Sequence, residues 1–132
     1  MPTHNIPDNL LYTKDHEWAK IEGGIATIGI TDYAQSSLGD ITFIDVPKAG
    51  AGVKQFELCA TVESVKAASD VYAPLTGEVI KANAELSNHP ELVNKSAYDS
   101  GWLAVIKIAD SAQKDNLMTP AQYKVYVEGL AK

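Results

Sequence analysis

Few residues of this chain have both the type and the placement to do chemistry. There is one cysteine, Cys59, and there are three histidines, His4, His16 and His89. The histidines are far apart and match no metal-ligand spacing, so surface or supporting histidines are expected and no metal site is. Cys59 lies inside a strand pattern with no neighbouring base to lower its pKa, and reads as a small core or half-buried side chain. No glycine-rich nucleotide fingerprint, Walker motif, nucleophile elbow or His-Glu-x-x-His zinc signature occurs. No catalytic residue is assigned. One lysine is unusually placed. Glu63-Ser64-Val65-Lys66-Ala67-Ala68-Ser69-Asp70-Val71-Tyr72-Ala73-Pro74 reads as strand, lysine, tight connection, strand. Lys66 therefore falls near a hairpin tip, where a modifying enzyme can reach it. An amine on such a tip suits a tethered cofactor, which needs a fixed anchor and a free arm, and acylation would turn the charged amine into a neutral amide. A solvated lysine is the commoner occupant of a hairpin tip, and spacing alone favours that ordinary reading.

The elements that must hold this tip are mostly strands. Glu17-Trp18-Ala19-Lys20-Ile21 alternates, Glu22-Gly23-Gly24 breaks it, and Ile25 to Thr31 resumes, which predicts a hairpin. Thr31 can cap a short helix that Gly39 ends. Ile41 to Val46 is a strand closed by Pro47, and Lys48 to Gly52 is a flexible turn. Phe56 to Val65 reads as a longer strand with Phe56, Leu58, Ala60 and Val62 on its apolar face. Asp70 to Ala73 and Glu78 to Ala82 are further strands. A helix is expected around Pro90 to Val93 with Asn88 as cap, then a strand over Gly101 to Ile108. Trp18 and Trp102, both in strand patterns, read as core. A C-terminal helix is expected at about 119–130, with Thr119 as N-cap, Pro120 at the first helical position and Gln122 closing a capping box. No linker or low-complexity stretch divides residues 1–132, so one mainly β domain with peripheral helices is expected.

Composition narrows the partners. The chain has 132 residues, 45% of them hydrophobic, and a formal net charge of −6. That charge disfavours nucleic acid and anionic membrane surfaces, which need clustered cations, and no run is long and apolar enough to span a bilayer. A lone cysteine forms no internal disulfide, which fits a reducing compartment. The start, Met1-Pro2-Thr3-His4-Asn5-Ile6-Pro7, carries no signal or transit pattern. A cytoplasmic, bacterial-type location is expected, with the mitochondrial matrix open only if a transit peptide has been removed.

The string Glu63-Ser64-Val65-Lys66-Ala67 resembles the lipoylation site of glycine cleavage H proteins, and the similarity continues through Asp70 to Pro74 and Thr76 to Val79. Tyr12-Thr13-Lys14-Asp15-His16-Glu17-Trp18 is similar to the family's N-terminal signature. Gly29 to Gln35, Leu38 to Ile41, Pro90 to Asn94 and Gly101 to Leu103 match later blocks in order. Several separated blocks in register, from about Leu11 to Ile108, are far more specific than one short motif. Biotin carriers resemble Met-Lys-Met at the acceptor, whereas Val65 and Ala67 flank the lysine here. Two positions depart from the family. Phe56-Glu57 stands where a Gly-Asp turn is common, which matters if that backbone needs positive φ. Ser96-Ala97-Tyr98-Asp99 replaces a common Asp-Pro-Tyr-Gly.

The resemblance implies a barrel-sandwich hybrid of two small antiparallel sheets, as in lipoyl and biotinyl carriers, with short peripheral helices and a C-terminal helix. It implies a non-catalytic carrier with lipoate covalently attached to Lys66 by a lipoate ligase or lipoyl transferase. Its partners would be the pyridoxal-phosphate glycine decarboxylase (P protein), the folate-dependent aminomethyltransferase (T protein) and dihydrolipoyl dehydrogenase (L protein). The loaded arm would settle in a cleft lined by Glu17 and Asp70, with Asp15 nearby. A platform that relays lipoyl groups to other enzymes would use the same lysine, and an unlipoylated interaction module is a third possibility.

Overall fold

The computed structural model of the chain describes residues 5–130; His4 lies outside them. Among the described residues, nine strands form two antiparallel sheets. The larger runs β1 (Leu11–Tyr12), β2 (Glu17–Glu22), β3 (Ile25–Ile30), β9 (Ala104–Ile108), β8 (Gly77–Ala82) and β5 (Gly52–Val53) side by side. The smaller has β6 (Leu58–Ser64) between β4 (Ile41–Asp45) and β7 (Ala68–Tyr72). Neither sheet closes on itself, so the barrel-sandwich expectation is met in its sandwich-like form.

The β2–β3 hairpin turns at Gly23-Gly24 as the sequence predicts, and in it Trp18 pairs with Gly29. A Cβ on Gly29 would lie 2.7 Å from the Trp18 ring, so only glycine leaves room for the indole. Trp18 is 1% exposed and its Nε1 donates to the Ala97 carbonyl at 3.0 Å. Trp102, expected in the core, is half-buried, with the Lys81 ammonium 5.7 Å over its ring. Ala60, Val62 and Val71 of the smaller sheet pack with Ile30 of β3 and Leu103, which joins the sheets. Cys59 is half-buried and touches both this cluster and the one within the larger sheet.

α1 (Asp32–Leu38) is capped by Thr31, which accepts from the Ala34 amide, and it stops at Gly39, whose φ is 78°. α3 (Pro120–Leu130) opens with the expected capping box: Gln122 Oε1 accepts from Thr119 N, and Thr119 Oγ1 accepts from Gln122 N. The middle helix differs from expectation. α2 spans Leu92–Lys95, and Asn88 instead closes a 3-10 turn over Ala84–Ser87. Asn83 caps that turn, and it is held there because its side-chain amide also donates to the carbonyls of Ser100 and Trp102. Gly52, read as the end of a flexible turn, pairs with Glu78 of β8, and Val53 after it pairs with Gly77.

The strand expected from Phe56 starts only at Leu58. Phe56 lies in a turn at φ 65° and is 48% exposed, and Leu58 is 59% exposed. The ladder shifts between Leu58 and Ala60, so the inward phase seen at Ala60 and Val62 does not extend back to Phe56. The turn thus has the positive φ at which glycine is favoured, and Phe occupies it. A left-handed conformation costs an L-residue roughly 1–2 kcal/mol, while glycine's extra unfolded-state freedom returns about 0.5–1 kcal/mol of that. Phe56→Gly is therefore expected to raise stability by roughly 0.5 kcal/mol, read as a higher urea midpoint at unchanged slope; a lower midpoint would show that the ring's packing outweighs the strain.

Candidate functional site

The β6–β7 hairpin closes in fewer residues than the sequence suggests. β7 begins at Ala68, so only Val65, Lys66 and Ala67 lie between the strands. Ser64 organises this tip. Its Oγ accepts from the amides of Lys66 at 3.3 Å and Ala67 at 3.1 Å, and its own amide donates to the Ala67 carbonyl at 2.7 Å. Val65 N donates to the Asp40 carbonyl at 3.1 Å, which ties the tip to the chain beyond α1. Lys66 itself is exposed, and its Cε would be 3.7 Å from a Cβ on Gly39. The backbone of the lysine is fixed while its amine stands in solvent, the arrangement a covalent arm requires. Ser64 was missed as a functional residue, although a hydroxyl two residues before a tip is a legible turn signal.

Glu17 is the second distinctive group. It begins β2 and is 1% exposed. A four-residue loop, Thr13-Lys14-Asp15-His16, joins β1 to β2, closed by Thr13 N donating to the Glu17 carbonyl at 3.0 Å. His16 takes the left-handed position in that loop, at φ 70°. The aromatic cluster against α3 secures it. His16 Nδ1 is 2.8 Å from the Tyr123 hydroxyl, which is in turn 2.8 Å from Thr31 Oγ1, and the ring lies beside Tyr33 and Tyr126. Burial pushes the His16 pKa down. The neighbouring residue, Glu17, bonds instead to the smaller sheet. Its Oε1 accepts from the Thr13 hydroxyl, and its Oε2 accepts from the Tyr72 amide at 3.1 Å. β7 is an edge strand of its sheet, so Glu17 satisfies an amide that strand pairing leaves open.

Asp15 is exposed and close enough to Glu17 to raise its pKa. Asp70 is also exposed, on the outer face of the smaller sheet. Register pairs Asp45 with Thr61 and Thr61 with Asp70, and in the next row Phe43 with Glu63 and Glu63 with Ala68. Directly paired residues share a face, so Asp45, Glu63 and Asp70 form an acidic surface around exposed Phe43, at the base of the Lys66 tip. The structure thus joins Asp15 with Glu17, and links Glu17 by one hydrogen bond to the strand that carries Asp70. Among the described residues, no three His, Cys, Asp or Glu side chains gather as metal ligands.

Burial raises the Glu17 carboxyl from an ordinary carboxylate value to about 7, with the bonds from Thr13 and Tyr72 pulling downward and Asp15 adding to the rise. Both chain states hold the proton below the unfolded value near 4.5. Between there and about 7 the unfolded chain ionises first, so stability falls as pH rises through this window and levels off above it. The loss is about 3 kcal/mol, at 1.36 kcal/mol per unit. Glu17→Gln removes it. Denaturant unfolding at pH 5 and pH 8 is expected to show a smaller difference in the variant than in the wild type, by about 2–3 kcal/mol; equal pH slopes would mean that Glu17 titrates normally.

A family model described as Glycine cleavage H-protein matches residues 10–129. Among curated relatives, the glycine cleavage system H protein of Halothermothrix orenii is 52% identical over 124 residues, which cover 94% of this chain and 97% of the relative. That of Bradyrhizobium diazoefficiens is 57% identical over 116 residues, covering 88% and 95%. Among solved structures, a glycine cleavage system H protein from Mycobacterium marinum superposes with a TM-score of 0.81 at 31% identity, covering 96% of this chain and 100% of the other. With most of its length matched by the family model and about half its residues shared with such relatives, the chain belongs to the glycine cleavage H-protein family.

Proposed function

We propose that this protein is the non-catalytic lipoyl carrier of a glycine cleavage system, with lipoate held in amide linkage on Lys66 Nζ by a lipoate ligase or lipoyl transferase. The observation that carries this reading is the exposed lysine on a tip whose backbone is bonded on both sides, within a chain of this family. When bound on Lys66, the lipoyl group would supply the disulfide and dithiol chemistry for carrying an aminomethyl group and electrons among the glycine decarboxylase, the folate-dependent aminomethyltransferase and dihydrolipoyl dehydrogenase. The chain's own residues contribute position and charge. Tethering makes each encounter of the arm with a docked partner effectively intramolecular. The β6–β7 hairpin fixes the arm's origin, and the acidic face around Phe43 lies beside it.

Glu17 receives the cationic end of the loaded arm, with Asp70 and Asp15 near its path. A carboxylate has about four acceptor positions, and Thr13 and Tyr72 occupy two of them. Acceptor capacity therefore remains, and an arriving ammonium lowers the carboxyl pKa from about 7 and holds the group ionised. Because Glu17 is 1% exposed, the arm reaches it only by displacing the side chains that cover it. Ala68 to Tyr72 spans about 13 Å at the usual strand rise, which sets the reach the arm needs along β7. The test is reconstitution. Protein lipoylated in vitro, mixed with the three partner enzymes, releases carbon dioxide from glycine, and omission of this protein stops it. Absence of release with fully lipoylated protein would exclude the carrier role.

A further inference from the structure

Thr13 is 3% exposed, and its hydroxyl makes both of its hydrogen bonds to a single residue, Glu17. Its hydroxyl oxygen accepts the Glu17 amide at 3.0 Å and its proton goes to Glu17 Oε1. With the amide directed at the oxygen, the hydroxyl proton is left free for the carboxylate, so one side chain fixes both the backbone and the head group of Glu17. Few other donors reach that head group. The Tyr72 amide of β7 takes Oε2. The titratable groups that sense Glu17 are Asp15 in the same loop, the Cys59 thiol of β6 and the Tyr123 hydroxyl of α3. None of them is a cation. The Cys59 thiol is pushed up to about 12, by burial first and by the Glu17 carboxylate second, and Tyr123 is raised by burial first. His16, the nearest base in sequence, is engaged with Tyr123.

We propose that Thr13 is the positioning residue of the arm cleft: its hydroxyl aims Glu17 at β7 and favours the ionised carboxylate that receives the loaded arm's ammonium. This rests on the Glu17 reading above. It extends that reading to a side chain that need not touch the arm. The hydroxyl, not its bulk, is the working part, so Ser replaces it and Val does not. The reaction that Glu17 restrains is hydrolysis of the loaded arm, RS–CH2–NH3+ + H2O → RSH + CH2O + NH4+, in which the carbon–sulfur bond breaks, water's oxygen becomes that of formaldehyde and nitrogen leaves as ammonium.

Two measurements separate the clip from the arm. The first uses protein without lipoate, with carbon-13 in the glutamate carboxyls, and follows the Glu17 resonance from pH 4 to pH 9, with assignment from Glu17→Gln. Thr13→Val raises its midpoint by about one unit, since a donor to the anion has been removed, and Thr13→Ser restores it. If Thr13→Val does not fold, Thr13→Ala reads the same shift. The second loads the dihydrolipoyl protein with formaldehyde and ammonia and follows ammonia release. Thr13→Val and Glu17→Gln both release faster at pH 7, and Thr13→Ser matches wild type. An unmoved Glu17 midpoint in Thr13→Val overturns the clip. A moved midpoint with unchanged release in Thr13→Val, while Glu17→Gln accelerates, overturns the role of Thr13 in the cleft. Unchanged release in Glu17→Gln removes the Glu17 reading itself, whatever Thr13 does to the midpoint.

Discussion

Protein with Lys66→Arg, made alongside an active lipoate ligase, carries no lipoyl mass, unfolds like wild type and supports no glycine-dependent carbon dioxide release. The loss is complete, not graded, because the acceptor is a single amine. Arginine keeps the charge and much of the length, but its guanidinium stays protonated and offers no free nitrogen for acylation. Stability is spared for a separate reason. The tip is organised by Ser64 Oγ, the Ala67 carbonyl and the Asp40 carbonyl, all bonded to main-chain amides, so residue 66 contributes its backbone and not its side chain. An exposed substitution of this kind stays within about 0.5 kcal/mol. Other lysines are poor substitutes. Lys81 lies within β8, its ammonium over the Trp102 ring, and Lys20 lies within β2, near Glu22. Peptide mass mapping and a reconstituted assay check the result. A lipoyl group on Lys81 with Lys66 free, or residual release from Lys66→Arg, would remove Lys66 from its role.

The position of that lysine was legible because a hairpin is a local device. Alternation on both sides of Lys66 and the interruption between them were enough, and the error was only in length, since Ala68 and Ser69 pair with Glu63 and Val62 although neither is a β-branched or aromatic strand former. The caps of α1 and α3 were legible for the same reason, each set within a few residues. Asn88 failed because Asn83, a better-anchored cap, binds carbonyls nearly twenty residues away. Leu58 failed because its face is set by a bulge opposite β7, and a pattern within one strand does not reveal register with another. Glu17 shows the same divide at the site. Its acidity and its block were visible in sequence. Its burial between Thr13 and the Tyr72 amide depends on contact between the two sheets, and Thr13 carried no signal of its own.

Glu17→Ala is expected to speed loss of ammonia from the loaded arm by roughly ten-fold or more, and Asp70→Ala by less. The difference follows from setting. A charge-assisted hydrogen bond formed out of solvent is worth roughly 1.5–3 kcal/mol, and each 1.4 kcal/mol is about a decade. Glu17 is 1% exposed, with the Thr13 hydroxyl and Tyr72 amide already aligning it, so little of that energy is spent on ordering the side chain. Asp70 is exposed on the outer face of β7, where an ion pair contributes about 0–1 kcal/mol and weakens with salt. Its removal should therefore cost less than about five-fold. Raising ionic strength should erase the Asp70 effect and leave that of Glu17. Asp15, exposed and beside Glu17, tunes that carboxyl through space, so Asp15→Asn should slow the leak slightly near neutral pH by easing ionisation of Glu17. Lipoylation of all three variants should proceed normally, because the ligase meets the β6–β7 tip and not the buried carboxylate. The proteins are lipoylated, loaded and followed by ammonia release without the aminomethyltransferase, at low and high salt. Equal rates for wild type, Glu17→Ala and Asp70→Ala would show that the cleft does not protect the arm. A larger effect at Asp70 than at Glu17 would move the ammonium site to the outer face of the smaller sheet, among Asp45, Glu63 and Asp70.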